Sequence, residues 1–190
     1  MRIISGIFKG KKIFLPNDKN TRPLRDLVKE SIFNLIQHSN KININIKNST
    51  ILDLFSGSGS FGMECLSREA KKVFFLENYS EALKVLEKNL KSLKNINNYE
   101  IIKNDCFIFF NKSENINSKY DVIFIDPPYK ELKINEIIEK IIGKNLLNKN
   151  GIMIIHRHKK DKVELTKKVN IFEERFYGIS KIYFGNLETF

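Results

Sequence analysis

The segment Asp126-Pro127-Pro128-Tyr129 follows a strongly apolar stretch and combines groups that can act together on a planar amine. The exocyclic amine of a nucleobase is a poor nucleophile, because its lone pair is delocalised into the ring. The Asp126 carboxylate can accept one amine hydrogen, and a carbonyl in the proline-stiffened turn can accept a second. Tyr129 offers an aromatic face on which a base removed from its helix can stack. These four residues are therefore the predicted catalytic centre.

A glycine-rich segment from Asp53 to Gly62 has the spacing G-x-G-x-x-G, directly after one apolar run and before a predicted helix. Glycines at this spacing let the backbone approach a nucleotide-like ligand closely. Twenty residues after Gly57, Glu77 ends the next apolar run, where it can accept hydrogen bonds from the ribose hydroxyls of an adenosine. No lysine follows the glycines, which argues against a phosphate-binding P-loop.

An acid immediately before the glycines favours S-adenosylmethionine over a dinucleotide as the ligand. Asp53 would repel a pyrophosphate, whereas it would attract a methionine ammonium group or a loop amide. Further along the chain, Asp105 can accept a hydrogen bond from an adenine amino group, and a helix N-cap is an equally good interpretation. The predicted cofactor-binding residues are Asp53, Phe55, Gly57, Gly59, Glu77, Asn78, Asp105 and Cys106.

These motifs lie at the ends of apolar runs that alternate with helical patterns. The predicted strands are Thr50–Phe55, Val73–Leu76, Tyr99–Ile102, Tyr120–Ile125, Gly151–Ile155, Ile171–Phe176 and Lys181–Phe184. Alternation of this kind predicts an α/β, Rossmann-like fold with a mostly parallel seven-stranded sheet and an antiparallel end. In such sheets, ligands bind beyond the carboxyl ends of the strands.

Three helices can be predicted from the spacing of apolar residues. The first helix has one face formed by Leu24, Leu27, Val28, Ser31, Ile32, Leu35 and Ile36. The second begins near Asn78-Tyr79-Ser80-Glu81, which resembles a capping box, and carries Leu83, Leu86, Leu90 and Leu93 on one face. The third covers Asn135–Ile142.

The charge of the chain favours a polyanionic partner. The net charge is +11 over 190 residues, although a composition rich in lysine and asparagine can also arise without such a partner. Residues 1–20 predict a basic β-hairpin that contacts RNA, and residues 21–190 a catalytic domain. A second basic run begins at Arg157, and a solvated surface is the alternative interpretation of that run. The predicted RNA-binding residues are Arg2, Lys9, Lys11, Lys12, Arg22, Arg157 and Lys159.

The remaining composition predicts a cytoplasmic monomer without a metal. Cys65 and Cys106 have no metal-type spacing, and we expect them to be buried free thiols. The first residues lack the apolar core of a signal peptide, and no apolar run approaches the length needed to cross a bilayer.

The whole chain resembles the bacterial RsmD family of small-subunit rRNA guanine-N2 methyltransferases. Beyond the motifs above, the similarity lies in Arg2-Ile3-Ile4-Ser5-Gly6, Lys9-Gly10-Lys11-Lys12, Arg22-Pro23 and Asp26-Leu27-Val28-Lys29-Glu30-Ser31-Ile32-Phe33-Asn34. The resemblance implies methylation of the guanine conventionally numbered 966 in 16S rRNA, within an assembled or assembling small subunit. Two residues depart from the family pattern: Leu24 replaces a threonine, and His156 stands near a usually acidic position. We expect neither to touch the acceptor chemistry.

Three other functions share parts of this pattern. An adenine-N6 methyltransferase of DNA or RNA could use the same Asp126 centre. An NAD-dependent oxidoreductase would explain the glycines and Glu77, but the chain offers it neither a proton donor nor a second substrate domain. A non-catalytic RNA-binding or assembly factor would explain the charge alone.

Overall fold

The computed structural model describes residues 1–18, 23–112 and 118–187. Five helices and seven strands follow an N-terminal segment in chain order. They are α1 Asp26–His38, β1 Thr50–Leu54, α2 Ser60–Ser67, β2 Lys72–Glu77, α3 Ser80–Ser92, β3 Tyr99–Lys103, α4 Cys106–Lys112, β4 Tyr120–Ile125, α5 Ile134–Gly143, β5 Leu147–His158, β6 Val169–Tyr177 and β7 Ser180–Leu187. No helix within these ranges is long and apolar enough to cross a membrane.

The seven strands form one sheet in the order β3-β2-β1-β4-β5-β7-β6. Strands β1 to β5 pair in parallel, whereas β7 is antiparallel to both β5 and β6. The chain order reverses between β1 and β4, and a crevice for ligands opens at such a switch point. The predicted α/β fold with an antiparallel end is therefore confirmed.

Helices cover both faces of the sheet, which is why the parallel strands are almost continuously apolar. Alternate strand residues belong to two separate cores. Ile51, Val73 and Phe124 face α1, α2 and α3, whereas Leu52 and Ile123 face α4 and α5. The two cores hold the strand ends, and hence the loops after them, in fixed positions.

The N-terminal segment packs into the first of these cores. Its two arms meet at a single antiparallel bridge between Arg2 and Lys12, so the predicted hairpin forms with a very short ladder. Ile3 and Ile13 are buried in the same core as α1 and α2. The predicted domain boundary lies among residues 19–22, outside the described ranges.

Three local predictions are wrong. Leu27 does not join the buried face of α1, because it leaves 67% of its surface exposed while Lys29 is fully buried. Asn78 does not cap α3: the residue before that helix is Tyr79, and no side chain caps it. Strand β5 begins four residues before Gly151 and continues three residues beyond Ile155.

Candidate active site

A cavity of about 640 Å³ opens at the switch point, where β1, β2 and β4 end. Both predicted motifs border it. Its charged lining is strongly acidic: among the described residues there are five carboxylates and one ammonium group, namely Asp53, Glu77, Asp105, Asp126, Glu131 and Lys130. The cavity therefore favours a ligand that carries positive charge and disfavours a pyrophosphate.

The glycines of the loop after β1 have different tasks. Gly57 lines the cavity. Gly59 does not, but it has a φ of +81° directly before α2, and an added Cβ would lie 2.4 Å from Cδ1 of Leu86. At Gly62 an added Cβ would lie 2.2 Å from the ring of Phe75. The second and third glycines thus serve the turn and close helix–strand packing, and the first leaves room for a ligand.

Glu77 connects the loop after β1 to the loop after β2 on one side of the cavity. Its Oε2 atom accepts a hydrogen bond from the backbone N–H of Gly57 at 2.7 Å. Its Oε1 atom accepts from the N–H groups of Asn78 and Tyr79, at 2.9 and 2.8 Å. A carboxylate has about four acceptor sites, so one remains for a ligand hydroxyl.

Asp53 lies at the bottom of the same cavity with 1% of its surface exposed. Its Oδ2 atom accepts a hydrogen bond at 3.0 Å from the N–H of Gly62, which lies in α2 rather than in the loop before it. Burial raises the pKa of the Asp53 carboxyl well above its usual range, and the negative charges of Asp126 and Glu77 raise it further. A cationic ligand group at this position would favour the ionised form.

Asp105 is the N-cap of α4, and it lines the cavity as well. Its Oδ1 atom accepts hydrogen bonds from the N–H groups of Phe107 and Ile108, at 2.9 and 3.2 Å. Its Oδ2 atom accepts from the side-chain amide of Asn78 at 3.0 Å. Cys106 lies below this loop with 3% of its surface exposed, and Phe107 lines the cavity instead. Burial raises the pKa of the Cys106 thiol.

The Asp-Pro-Pro-Tyr turn closes the opposite side of the cavity. All four of its residues line it, as does Phe55 of the loop after β1. The carbonyl of Pro128 accepts a hydrogen bond from the N–H of Glu131 at 2.8 Å, which closes the turn. The carbonyl of Pro127 is therefore the better candidate for the second acceptor, a distinction that the sequence could not make.

His156 contacts the carboxylate of Asp126, the predicted acceptor, directly, contrary to our expectation. Its Nδ1 atom lies 2.7 Å from Oδ1 of Asp126. The expectation was wrong because it placed His156 beyond the end of a strand, whereas β5 continues and carries this side chain beside the end of β4. The second departure from the family pattern, Leu24, is buried and lines the cavity.

Arg157 is not available to a phosphate, contrary to prediction. It leaves only 2% of its surface exposed; its guanidinium pairs with Asp161 and donates a hydrogen bond to the carbonyl of Glu131 at 2.7 Å. Arg157 thus fastens the segment after the Asp-Pro-Pro-Tyr turn to β5. The other predicted RNA-binding residues that the structure describes are exposed: Arg2, Lys9, Lys11, Lys12 and Lys159. Arg22 lies outside the described ranges.

Both cysteines are buried free thiols, as expected. Within the described part of the chain, no three His, Cys, Asp or Glu side chains are grouped so that they could hold a metal ion.

Comparison with known proteins decides the family. Residues 1–186 match the family described as "Conserved hypothetical protein 95". The ribosomal RNA small subunit methyltransferase D of Buchnera aphidicola is 35% identical over 95% of this chain and 90% of its own length. The chain belongs to the RsmD family.

Solved structures agree with this assignment. The crystal structure of a methylase from Haemophilus influenzae has a TM-score of 0.76 and 31% identity, and the match covers 98% of each chain. A more distant methyltransferase, solved in complex with SAH, has a TM-score of 0.60 and 16% identity over 80% of this chain and 48% of its own. This more distant likeness shows the fold alone, and the predicted methyltransferase class is confirmed by the family relationship.

Proposed function

We propose that the protein transfers a methyl group from S-adenosylmethionine to the exocyclic N2 of a guanine in 16S rRNA, the base conventionally numbered 966. One observation carries this proposal: the acceptor carboxylate Asp126 and the glycine loop border a single acidic cavity. The family relationship supports an rRNA substrate, because the relative from Buchnera aphidicola is named for small-subunit rRNA.

The acidic lining fits the charge of S-adenosylmethionine, whose sulfonium and ammonium groups are both positive. When bound, this cofactor supplies an electrophilic methyl group. We place one ribose hydroxyl of its adenosine at the remaining acceptor site of Glu77 and its adenine near Asp105 and Phe107. Asp53 then faces the amino-acid end. A dinucleotide would bring a pyrophosphate toward the same carboxylates, which argues against the oxidoreductase alternative.

The Asp-Pro-Pro-Tyr turn prepares the attacking amine. Asp126 and the carbonyl of Pro127 accept hydrogen bonds from its two N–H groups, which draws the nitrogen toward a tetrahedral geometry and exposes its lone pair. Tyr129 stacks against the base after the base has left its helix. When bound, S-adenosylmethionine would supply the methyl group by displacement of its sulfur, which would leave as S-adenosylhomocysteine, and the product ammonium would release its extra proton to solvent. Asp126 acts by position and charge, so it need not be a strong base.

The exposed basic residues of the N-terminal segment supply the binding surface for RNA in this proposal. Arg2, Lys9, Lys11 and Lys12 are all exposed, and their segment is fixed to the core that carries the glycine loop. Phosphate contacts of this kind orient a nucleic acid without reading its sequence. A target within the small ribosomal subunit would provide the remaining selectivity.

The decisive experiment measures methyl transfer to small subunits purified from a strain that lacks the modification, followed by nucleoside analysis. We expect N2-methylguanosine as the product. Asp126→Ala should lower kcat by about 10²–10³-fold, as the loss of a directed polar contact in other active sites does, while cofactor binding persists. Asp121→Asn is the matched control, because that carboxylate accepts a hydrogen bond from the N–H of Thr50 at the opposite end of β4.

Two results would contradict the proposal. Formation of N6-methyladenosine would support the adenine-N6 alternative, which the acceptor turn serves equally well. Full activity of Asp126→Ala would remove the acceptor role altogether.

A further inference from the structure

His156 connects the acceptor carboxylate to the beginning of β7 through two short contacts. Its Nδ1 atom lies 2.7 Å from Oδ1 of Asp126, and its Nε2 atom lies 2.9 Å from Oγ of Ser180. His156 and Ser180 are buried, with 2% and 5% of their surfaces exposed, whereas Asp126 borders the cavity. The three side chains therefore form a line from the interior of the protein to the site.

The chemistry of the partners assigns a direction to the hydrogen bond with Asp126 and, for a neutral imidazole, to the one with Ser180 as well. An ionised carboxylate can only accept, so the proton of the neutral imidazole must lie on Nδ1. The Nε2 atom is then an acceptor, and the hydroxyl of Ser180 donates to it. The hydrogen bond made by Nδ1 thus decides whether Nε2 acts as a donor or as an acceptor.

We propose that His156 is a positioning residue for methyl transfer, a role that rests on the function proposed above. By donating to Oδ1 of Asp126, His156 holds the plane of the carboxylate so that Oδ2 faces the amine of the base. Among the described residues, none donates a hydrogen bond to that second oxygen. An unheld carboxylate would rotate about its side-chain bonds, and productive alignment with the methyl group would be less frequent.

The same imidazole also contacts the stacking residue. The ring of Tyr129 meets those of His156 and His158 edge to face, with centroids 5.9 and 4.8 Å apart. His156 therefore borders both the hydrogen-bond acceptor and the aromatic surface that the base would use. Movement of His156 would disturb the two together.

A Ser-His-Asp arrangement also occurs in hydrolases, where the serine must reach the substrate. In this protein the carboxylate, not the serine, faces the cavity. The hydroxyl of Ser180 is buried and does not line the cavity, whereas the carboxylate does. A nucleophile must reach its substrate, so Ser180 cannot take that role. The line of contacts serves to orient the carboxylate at its exposed end.

The test compares His156→Leu, His156→Asn and Ser180→Ala, using labelled S-adenosylmethionine and small subunits that lack the modification. His156→Leu should lower kcat by about 10- to 100-fold, comparable to the loss of a side chain that orients a metal ligand in a metalloenzyme. The KM values for both substrates should stay within about twofold of those of the wild type. The amide nitrogen of His156→Asn can replace Nδ1, so this variant should recover part of kcat. Ser180→Ala should lose less than His156→Leu.

Three results would overturn the positioning role: full activity of His156→Leu, an effect confined to the KM values, or equal losses in the leucine and asparagine variants. Should the wild type transfer no methyl group to these subunits, the proposed function fails separately. Nitrogen-15 NMR of the His156 imidazole tests the hydrogen-bond arrangement independently of methyl transfer. We expect the Nδ1–H tautomer in the wild type, and a dominant Nε2–H tautomer would refute the inference.

Discussion

Replacement of Glu64 by glutamine should lower the free energy of unfolding more than the same replacement of a surface glutamate does, although Glu64 does not line the cavity. Glu64 is fully buried in α2. Its two oxygens accept hydrogen bonds from the N–H groups of Ile4 and Ser5, at 2.7 and 2.9 Å, and from Nε of Arg68 at 3.0 Å. The ammonium of Lys29, also fully buried, lies 3.7 Å away. One carboxylate thus anchors the N-terminal segment and compensates a buried cation.

The size of the effect follows from these contacts. Glutamine has the same shape, but its NH₂ group must face one of the two backbone N–H donors. A hydrogen bond to a charged group contributes about 1.5–3 kcal/mol. Removal of one partner from a buried ion pair costs about 3–5 kcal/mol. Because these terms overlap, we expect the free energy of unfolding to fall by about 3–5 kcal/mol, a large part of the roughly 5–15 kcal/mol that stabilises a typical domain.

Urea unfolding followed by circular dichroism measures this loss. Glu69→Gln is the matched control, since Glu69 pairs with Lys47 at 3.1 Å on the surface and about half of each side chain is exposed. An exposed pair of this kind contributes about 0–1 kcal/mol. Equal losses in the Glu64 and Glu69 variants would refute the reasoning.

The pH dependence provides a second check. Burial lowers the pKa of Lys29, and the charges of Glu64 and Asp26 oppose that change. Without Glu64 the pKa of Lys29 in the folded state falls further, while its value in the unfolded chain stays the same. The folded variant then binds fewer protons than the folded wild type at alkaline pH. The free energy of unfolding of the variant therefore rises more steeply with pH than that of the wild type. The difference between the two should be smaller at pH 9 than at pH 7.

Three further predictions concern the cavity and the basic surface. Asp53→Asn should weaken cofactor binding in calorimetry yet raise the free energy of unfolding by about 1 kcal/mol at pH 8, since relief of functional strain commonly has that size. The raised pKa means that the folded protein binds more protons than the unfolded chain, so this gain should diminish as the pH falls. Gly62→Ala should cost about 1–3 kcal/mol in urea unfolding, because the new methyl group meets a buried ring, whereas Gly143→Ala, which meets nothing within 4 Å, should not destabilise. Glutamine at the three exposed lysines of the N-terminal segment should flatten the salt dependence of RNA binding, and an unchanged slope would exclude their contact with phosphates.

The sequence predicted the central parallel strands β1, β2 and β4 well because they are buried on both faces. Apolar runs such as Tyr120–Ile125 end where the buried strand ends, so their limits could be read directly. The chemical motifs follow those limits, and their residues therefore met at one edge of the sheet. The glycine spacing was read as a single ligand loop, but Gly57 alone of the three lines the cavity, whereas Gly59 and Gly62 serve the turn and the close packing of α2.

The polar interior could not be predicted in this way. Burial of Lys29, His156 or Arg157 depends on partners that are distant in the chain, such as Glu64, Ser180 and the carbonyl of Glu131. A charged or titratable residue at the end of an apolar run therefore looks like the end of the strand. For this reason the sequence placed His156 and Arg157 beyond the end of β5. His156 instead lies beside the carboxylate of Asp126, and Arg157 fastens the segment after the Asp-Pro-Pro-Tyr turn.

In the proposed function, the Asp-Pro-Pro-Tyr turn alone does not distinguish one nucleobase amine from another, so selectivity must come from the parts of the fold that are fixed around it. Asn89, fully buried in α3, donates hydrogen bonds to the carbonyls of Phe14 and Ser58, both at 2.9 Å. Lys29 similarly joins the carbonyl of Arg2 to the hydroxyl of Ser60, at 2.7 and 3.3 Å. The N-terminal segment is thereby bonded at two points to the loop and helix that border the cavity. Since buried polar contacts hold both parts in one arrangement, the distance from the basic surface to Asp126 is a fixed property of the fold. If the proposed function holds, an RNA held by that surface would place only bases at the matching distance over the Asp-Pro-Pro-Tyr turn.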